Sequence, residues 1–130
     1  MRIENYTNSG MTVSYTGDLE QNKSEALEMI KSRFENDLKE RQFVCSLGFA
    51  VQNRRFETKN DLQNIDSLIY VGVSYFRDAN NVNQNVTIQD LETIKSEMIA
   101  DVLQMYQSKF DAETEIENCT TIPEIWDIIG

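Results

Sequence analysis

Residues 87–110 read TIQDLETIKSEMIADVLQMYQSKF, and this stretch decides the fold class. Leu91, Ile94, Met98, Val102 and Met105 recur at spacings of three and four, the period of one helix face. Thr87 and Asp90 stand three apart just before the first apolar residue of the stripe, so side chains and backbone amides can cap the start reciprocally. The segment predicts the longest helix of the chain, reaching Phe110 or beyond. A second set, Ile99, Leu103, Tyr106 and Phe110, widens the apolar face beyond what one packing partner needs. Either it completes an ordinary core, or one of its neighbours is another copy of the chain.

Upstream, Arg77 to Asn85 is dense in Asp78, Asn80, Asn81, Asn83 and Asn85, whose side chains bond their own backbone and favour turns. It reads as a hairpin tip between an extended run at Val71, Val73, Tyr75 and Phe76 and an extended segment resuming at Val86. Thr58 to Asp61 has the capping-box form, with Asp in place of Glu, before a short helix marked by Leu62, Ile65, Leu68 and Ile69. Phe43 to Val51 is β-prone, and Gln52 and Asn53 predict the turn that leads back through Arg54 to Thr58. A first helix is expected from about Asn22 to Arg41, capped by Asn22 with Glu25, with Leu27, Ile30, Phe34 and Leu38 on its apolar stripe. Ile3 to Thr16 reads as a short hairpin or an extended arm, and Pro123 can open a last short helix carrying Ile125, Trp126 and Ile128. The class is α+β: amphipathic N-terminal helix, β-hairpin, short helix, second strand pair, long acidic helix, short terminal helix. Residues 1–20 form the hairpin or arm and residues 21–130 a single domain, since 130 residues fit one domain and a second independent core is not expected.

Charge narrows the partners. Twelve basic against 22 acidic residues give a net charge of -10, which disfavours direct binding to a phosphate backbone. Residues 85–130 carry ten acids against Lys95 and Lys109, so most of the excess lies there, as a solvated helix face or as a docking surface for a basic partner. The longest apolar runs are far too short to cross a bilayer, and Met1 to Asn5 shows no secretory signal, so a soluble cytosolic chain is expected.

Catalytic chemistry finds few carriers. Histidine is absent, which removes the usual general base at neutral pH and the commonest metal ligand. Cys45 and Cys119 lack a CxxC spacing and are expected to stay as thiols. No phosphate-binding glycine loop or nucleophile elbow occurs, and Asp78, Asn80 and Asn83 lack the central glycine and terminal acid of a calcium loop. Arg54 and Arg55 form a basic pair, usually a solvated turn and otherwise an anion contact. A hydrolase or nuclease built on clustered carboxylates and Mg²⁺ is the weakest reading, so no enzyme, no cofactor and no metal are expected.

One ordered set of motifs resembles a known family. Lys23, Ile30 and Arg33 on the first helix are followed by Gly48, Phe56 and Thr58, by Leu62, Gln63, Asn64 and Ile65, by Phe76, Arg77, Asp78, Asn80 and Asn81, and by Val86, Thr87 and Leu91. In this order they are similar to the domain of unknown function carried by many bacteriophage tail fibre assembly and tail accessory proteins, over roughly Lys23 to Ile128. The family's members usually attach this domain behind another module, whereas only about 20 residues precede it here.

The resemblance implies phage origin, a place in the host cytoplasm during infection or in the virion tail, and a phage tail or fibre protein as partner. The chain would be a helper that folds or trimerises the fibre, or a small structural piece of it. The alternative is an acidic inhibitor of a host defence protein, with Asp101, Asp111, Glu113, Glu115 and Glu117 imitating phosphates. The candidate partner-binding residues are Gln63, Asn64, Arg77 and Asp78, with Asp101, Tyr106, Phe110 and Trp126 as further contacts. For the first four, the competing structural role is to tie the hairpin to the short helix.

Overall fold

The computed structural model describes residues 1–130, ordered as β1 (Arg2–Thr7), β2 (Gly10–Tyr15), α1 (Leu19–Glu40), β3 (Gln42–Val44), β4 (Ala50–Gln52), β5 (Arg55–Phe56), β6 (Lys59–Asn60), α2 (Asp61–Val71), β7 (Tyr75–Arg77), β8 (Asn83–Asn85), α3 (Ile88–Glu117) and α4 (Ile122–Ile129). The strands form four separate antiparallel pairs, so the fold is α+β. Contacts divide the chain into two compact units, Met1–Phe34 with Gln107–Gly130, and Glu35–Tyr106.

Two buried clusters form where a single core is expected. In the unit Glu35–Tyr106, Cys45, Val51, Ile65, Phe76, Val86, Leu91, Ile94 and Met98 pack together. In the other unit, Ala26, Ile30, Ile116, Cys119, Ile125, Trp126 and Ile129 do. Helix length is the physical reason. At about 1.5 Å per residue, the 30 residues of α3 outrun a core that so few apolar residues can build, and its two ends supply different clusters.

The cap of α3 forms as its sequence predicts: the Asp90 amide donates to Thr87 Oγ1 at 3.0 Å and the Thr87 amide to Asp90 Oδ2 at 2.9 Å. Two other starts are displaced from their expected places. Helix α1 begins at Leu19, and its reciprocal cap joins Asp18 to Gln21, with amide-to-side-chain distances of 3.0 and 2.8 Å. Helix α2 is capped by Asn60, which accepts from the Gln63 amide, rather than by Thr58. It continues through Val71 and stops at Gly72, whose φ of 81° few other residues adopt.

The hairpin after α1 also differs. The β-prone run folds back on itself at Gly48, φ 95°, so that β3 pairs with β4 and Phe43 faces Val51. Asn53 is not a turn residue but a fully buried one, and a second, two-residue hairpin, β5 with β6, follows it. The Asn-rich segment forms a hairpin with a shorter tip than expected, since Asp78 accepts from the amides of Asn80 and Val82 and from Gln84 Nε2 and closes the turn early, so that Asn83 to Asn85 are already strand and Val86 lies beyond it.

In the unit Met1–Phe34 with Gln107–Gly130, the first residues form the β1–β2 hairpin, and Tyr15 packs on the cluster. Asn22, released from capping, is fully buried there. Its Nδ2 donates to the carbonyls of Thr16 (2.9 Å) and Asp18 (2.7 Å), and its Oδ1 accepts from Trp126 Nε1 (2.8 Å). Two cations of α1 close helix C-termini: Lys23 Nζ donates to the Glu117 carbonyl and Arg33 Nη1 to the Ile129 carbonyl, both at 2.8 Å. Truncating Asn22 would strand the buried indole N–H and open a void beside it, while the Thr16 and Asp18 carbonyls keep the Met1 ammonium and the residue-22 amide as donors. The Asn22→Ala variant is expected to lose roughly 3 kcal/mol, read in urea from the fluorescence of Trp126, the chain's one tryptophan.

Candidate functional site

Polar groups gather around an apolar floor in the unit Glu35–Tyr106. There α2, β4 and β7 border a cleft of about 360 Å³. Ile65, Leu68, Phe76 and Met98 supply apolar lining, and Gln52, Arg54, Asp61, Asn64, Arg77 and Asn81 supply polar groups.

The charges at the cleft are mostly spoken for. Asp61 is buried and takes a two-pronged contact from the Arg54 guanidinium, Nε at 2.9 Å and Nη2 at 3.0 Å, together with the Arg54 amide at 2.7 Å. This pair links the entry of α2 to the chain just before β5. Asp78 is buried too, and hydrogen bonds from Gln84, Val82 and Asn80 hold its carboxyl below the usual carboxylate range. Arg77 has no ion pair and stays exposed beside it.

Behind β4 sits a second polar network. Arg41 grips Asp101 with two nitrogens, and Asn53 Nδ2 donates to Asp101 Oδ2 and to the Met98 carbonyl, each at 2.9 Å. Burial pushes the Asp101 carboxyl up, but hydrogen bonds from Arg41 and Asn53, with the charges of Arg41 and Arg55, outweigh it and leave the group below its ordinary value. Arg55 is itself lowered by burial, and its Nη1 and Asn53 Oδ1 are buried without a partner.

Of the expected contact residues, the cleft brings together Asn64, Arg77 and Asp78, and does not include Gln63, whose side chain is exposed. No direct bond ties the hairpin to α2 through these groups; the cleft opens there instead. Asp101 is withdrawn from any partner surface by Arg41 and Asn53, and Trp126 by burial and its bond to Asn22. The remaining acids do not form one stripe either. Residues two apart on a helix face opposite sides, which sets Asp111 and Glu115 apart from Glu113 and Glu117. Asn81 of the ordered motif set lines the cleft as well, and so do Gln52 and Tyr75, which no local motif marks because their place depends on hairpin register.

A different surface is apolar. Ile99, Leu103, Tyr106 and Phe110 follow one another along α3 at spacings of four, three and four, and are 39%, 62%, 52% and 64% exposed. These fractions overturn the reading of this second set as ordinary core. The adjoining stripe is buried at Leu91, Ile94 and Met98 and half-buried at Val102 and Met105.

No group of three or more acidic or cysteine side chains is arranged to hold a metal ion. Both cysteines are free and buried; burial pushes the Cys119 thiol up, away from the thiolate that a nucleophile needs. No helix is long and apolar enough to cross a membrane. No protein-family model matches the chain, and no curated protein or solved structure is significantly similar to it.

The two depressed carboxyls make stability pH-dependent with a definite sign. A folded-state value below the ordinary 3.8 means that stabilisation is complete above the unfolded value and is lost as pH falls through the folded one. Asp101→Asn is expected to cost roughly 2 kcal/mol at pH 7, and the gap to the parent to narrow below pH 3.8, as measured by urea midpoints across pH.

Proposed function

We propose that this chain is a protein-binding domain acting in phage tail assembly, as a fibre assembly helper or a small tail accessory protein. The observation that carries the protein-binding part is the row of exposed apolar side chains on α3. Single exposed apolar residues are ordinary, but a row of four at helical spacing is a surface that gains from being covered. A helix of a partner could lie against it with its own apolar positions at matching spacing. The assignment to phage tails rests on the ordered motif set that resembles the tail fibre assembly family.

The ionisable groups support the same reading. Asp61, Asp78 and Asp101 are each held by internal donors, so they hold backbone and neighbouring side chains in place instead of facing a substrate. An apolar contact surface also sets the expected response to salt. Screening would leave such binding intact or strengthen it, whereas phosphate mimicry would weaken steeply with added salt.

The test is capture of the phage's own fibre and tail proteins by the purified chain. Leu103→Glu places a charge in the exposed row and is expected to weaken capture on the order of thirtyfold, equivalent to ~2 kcal/mol. Its stability should stay within about 0.5 kcal/mol of the parent, since the position is on the surface. Failure of the parent chain to bind any tail protein, together with its absence from virions, would end this reading.

A further inference from the structure

The cleft in the unit Glu35–Tyr106 lies between two strand edges that the fold leaves open. In an antiparallel pair, alternate residues turn their N–H and C=O groups toward the partner strand and the rest turn them away. In β3–β4 the inward set is fixed by two bonds, Cys45 amide to Phe49 carbonyl at 3.0 Å and Asn53 amide to Arg41 carbonyl at 2.7 Å. Phe43 and Val51 are therefore paired, while Ala50 and Gln52 direct their backbone groups outward. In β7–β8 the bonds from Asp78 to Val82 and from Val86 to Ser74 fix Phe76 and Gln84 as the inward pair. Tyr75 and Arg77 then point outward.

The two outward edges meet once. The Ala79 amide donates to the Ala50 carbonyl at 2.8 Å, and no further backbone bond joins β4 to β7, which remain in separate two-stranded sheets. Beyond that bond the cleft opens, bordered by Gln52 on one side and by Tyr75 and Arg77 on the other. An aqueous cleft with unpaired strand edges and an apolar floor is a template for added main chain.

We infer that this cleft binds an extended segment of a partner polypeptide, which adds to the open edges of β4 and β7. The segment's N–H and C=O groups pair with Gln52 and with Tyr75 and Arg77. One of its apolar side chains covers Ile65, Leu68 and Met98, and a carboxylate of the segment meets Arg77, the one guanidinium at the cleft without an ion pair. This site is separate from the apolar row on α3, so each can fail alone.

The experiment is selection of a displayed random heptapeptide library on the full-length chain, followed by amide hydrogen exchange of the chain with the enriched peptides. In the free protein the amides of Gln52, Tyr75 and Arg77 are expected to exchange fast and those of Val51, Phe76 and Ala79 slowly. Bound peptide is expected to slow the first three at least about tenfold. Gln52→Pro removes an N–H that the fold does not use, and is expected to weaken the peptides about tenfold. Tyr75→Pro tests the opposite edge should the first variant fail to fold, and Leu103→Glu is expected to leave peptide affinity unchanged. Fast-exchanging edges that gain no protection, peptides that protect other residues, or undiminished binding by the proline variants would overturn the inference. So would protection of the same three amides by the chain's own association at high concentration, which would assign the edges to a second copy.

Discussion

The length of α3 is the constraint on which the other features depend. Thirty residues of continuous helix expose more apolar surface than one small core can cover. The buried clusters take Leu91, Ile94 and Met98 from one end and Ile116 from the other. The row from Ile99 to Phe110 is exposed along the middle of the helix.

Polar side chains with several partners then do the joining that a small apolar core cannot. Asn22 binds the end of β2, the entry of α1 and the indole of α4. Asn53 and Arg41 bind Asp101 on α3, and Arg54 binds Asp61 at the start of α2. Each of these carboxylates and amides is buried or half-buried and costs free energy unless paired. This is why Asp78 and Asp101, two of the candidate contact residues, turn out to be internal: their donors stand within the same unit.

The sequence revealed the elements better than it revealed their joints. The α3 start was legible because Thr87 and Asp90 form the cap that their spacing suggests. The α1 start was not, because Asn22 with Glu25 and Asp18 with Gln21 both satisfy the capping pattern, and what decides between them is Trp126, 104 residues away from Asn22. The turn of β3–β4 stands at Gly48, whereas Asn53 marks a turn by residue type alone, because its short amide side chain can bond its own backbone and tolerates turn conformations. At the cleft, Asn64, Arg77 and Asp78 were legible from the ordered motifs. The open edge of Gln52 was not, since outward direction follows from a register fixed only once the Gly48 turn is known.

The central claim is that the middle of α3 is the surface by which this chain holds another protein. Its most direct measurement is site-specific photo-crosslinking, with a photoreactive residue at position 103 or at position 115 of the same helix, in cells making the proposed tail partners. The account predicts a covalent adduct with a tail or fibre protein from 103 and far less from 115. Equal adducts from both positions, or none from 103, would contradict it.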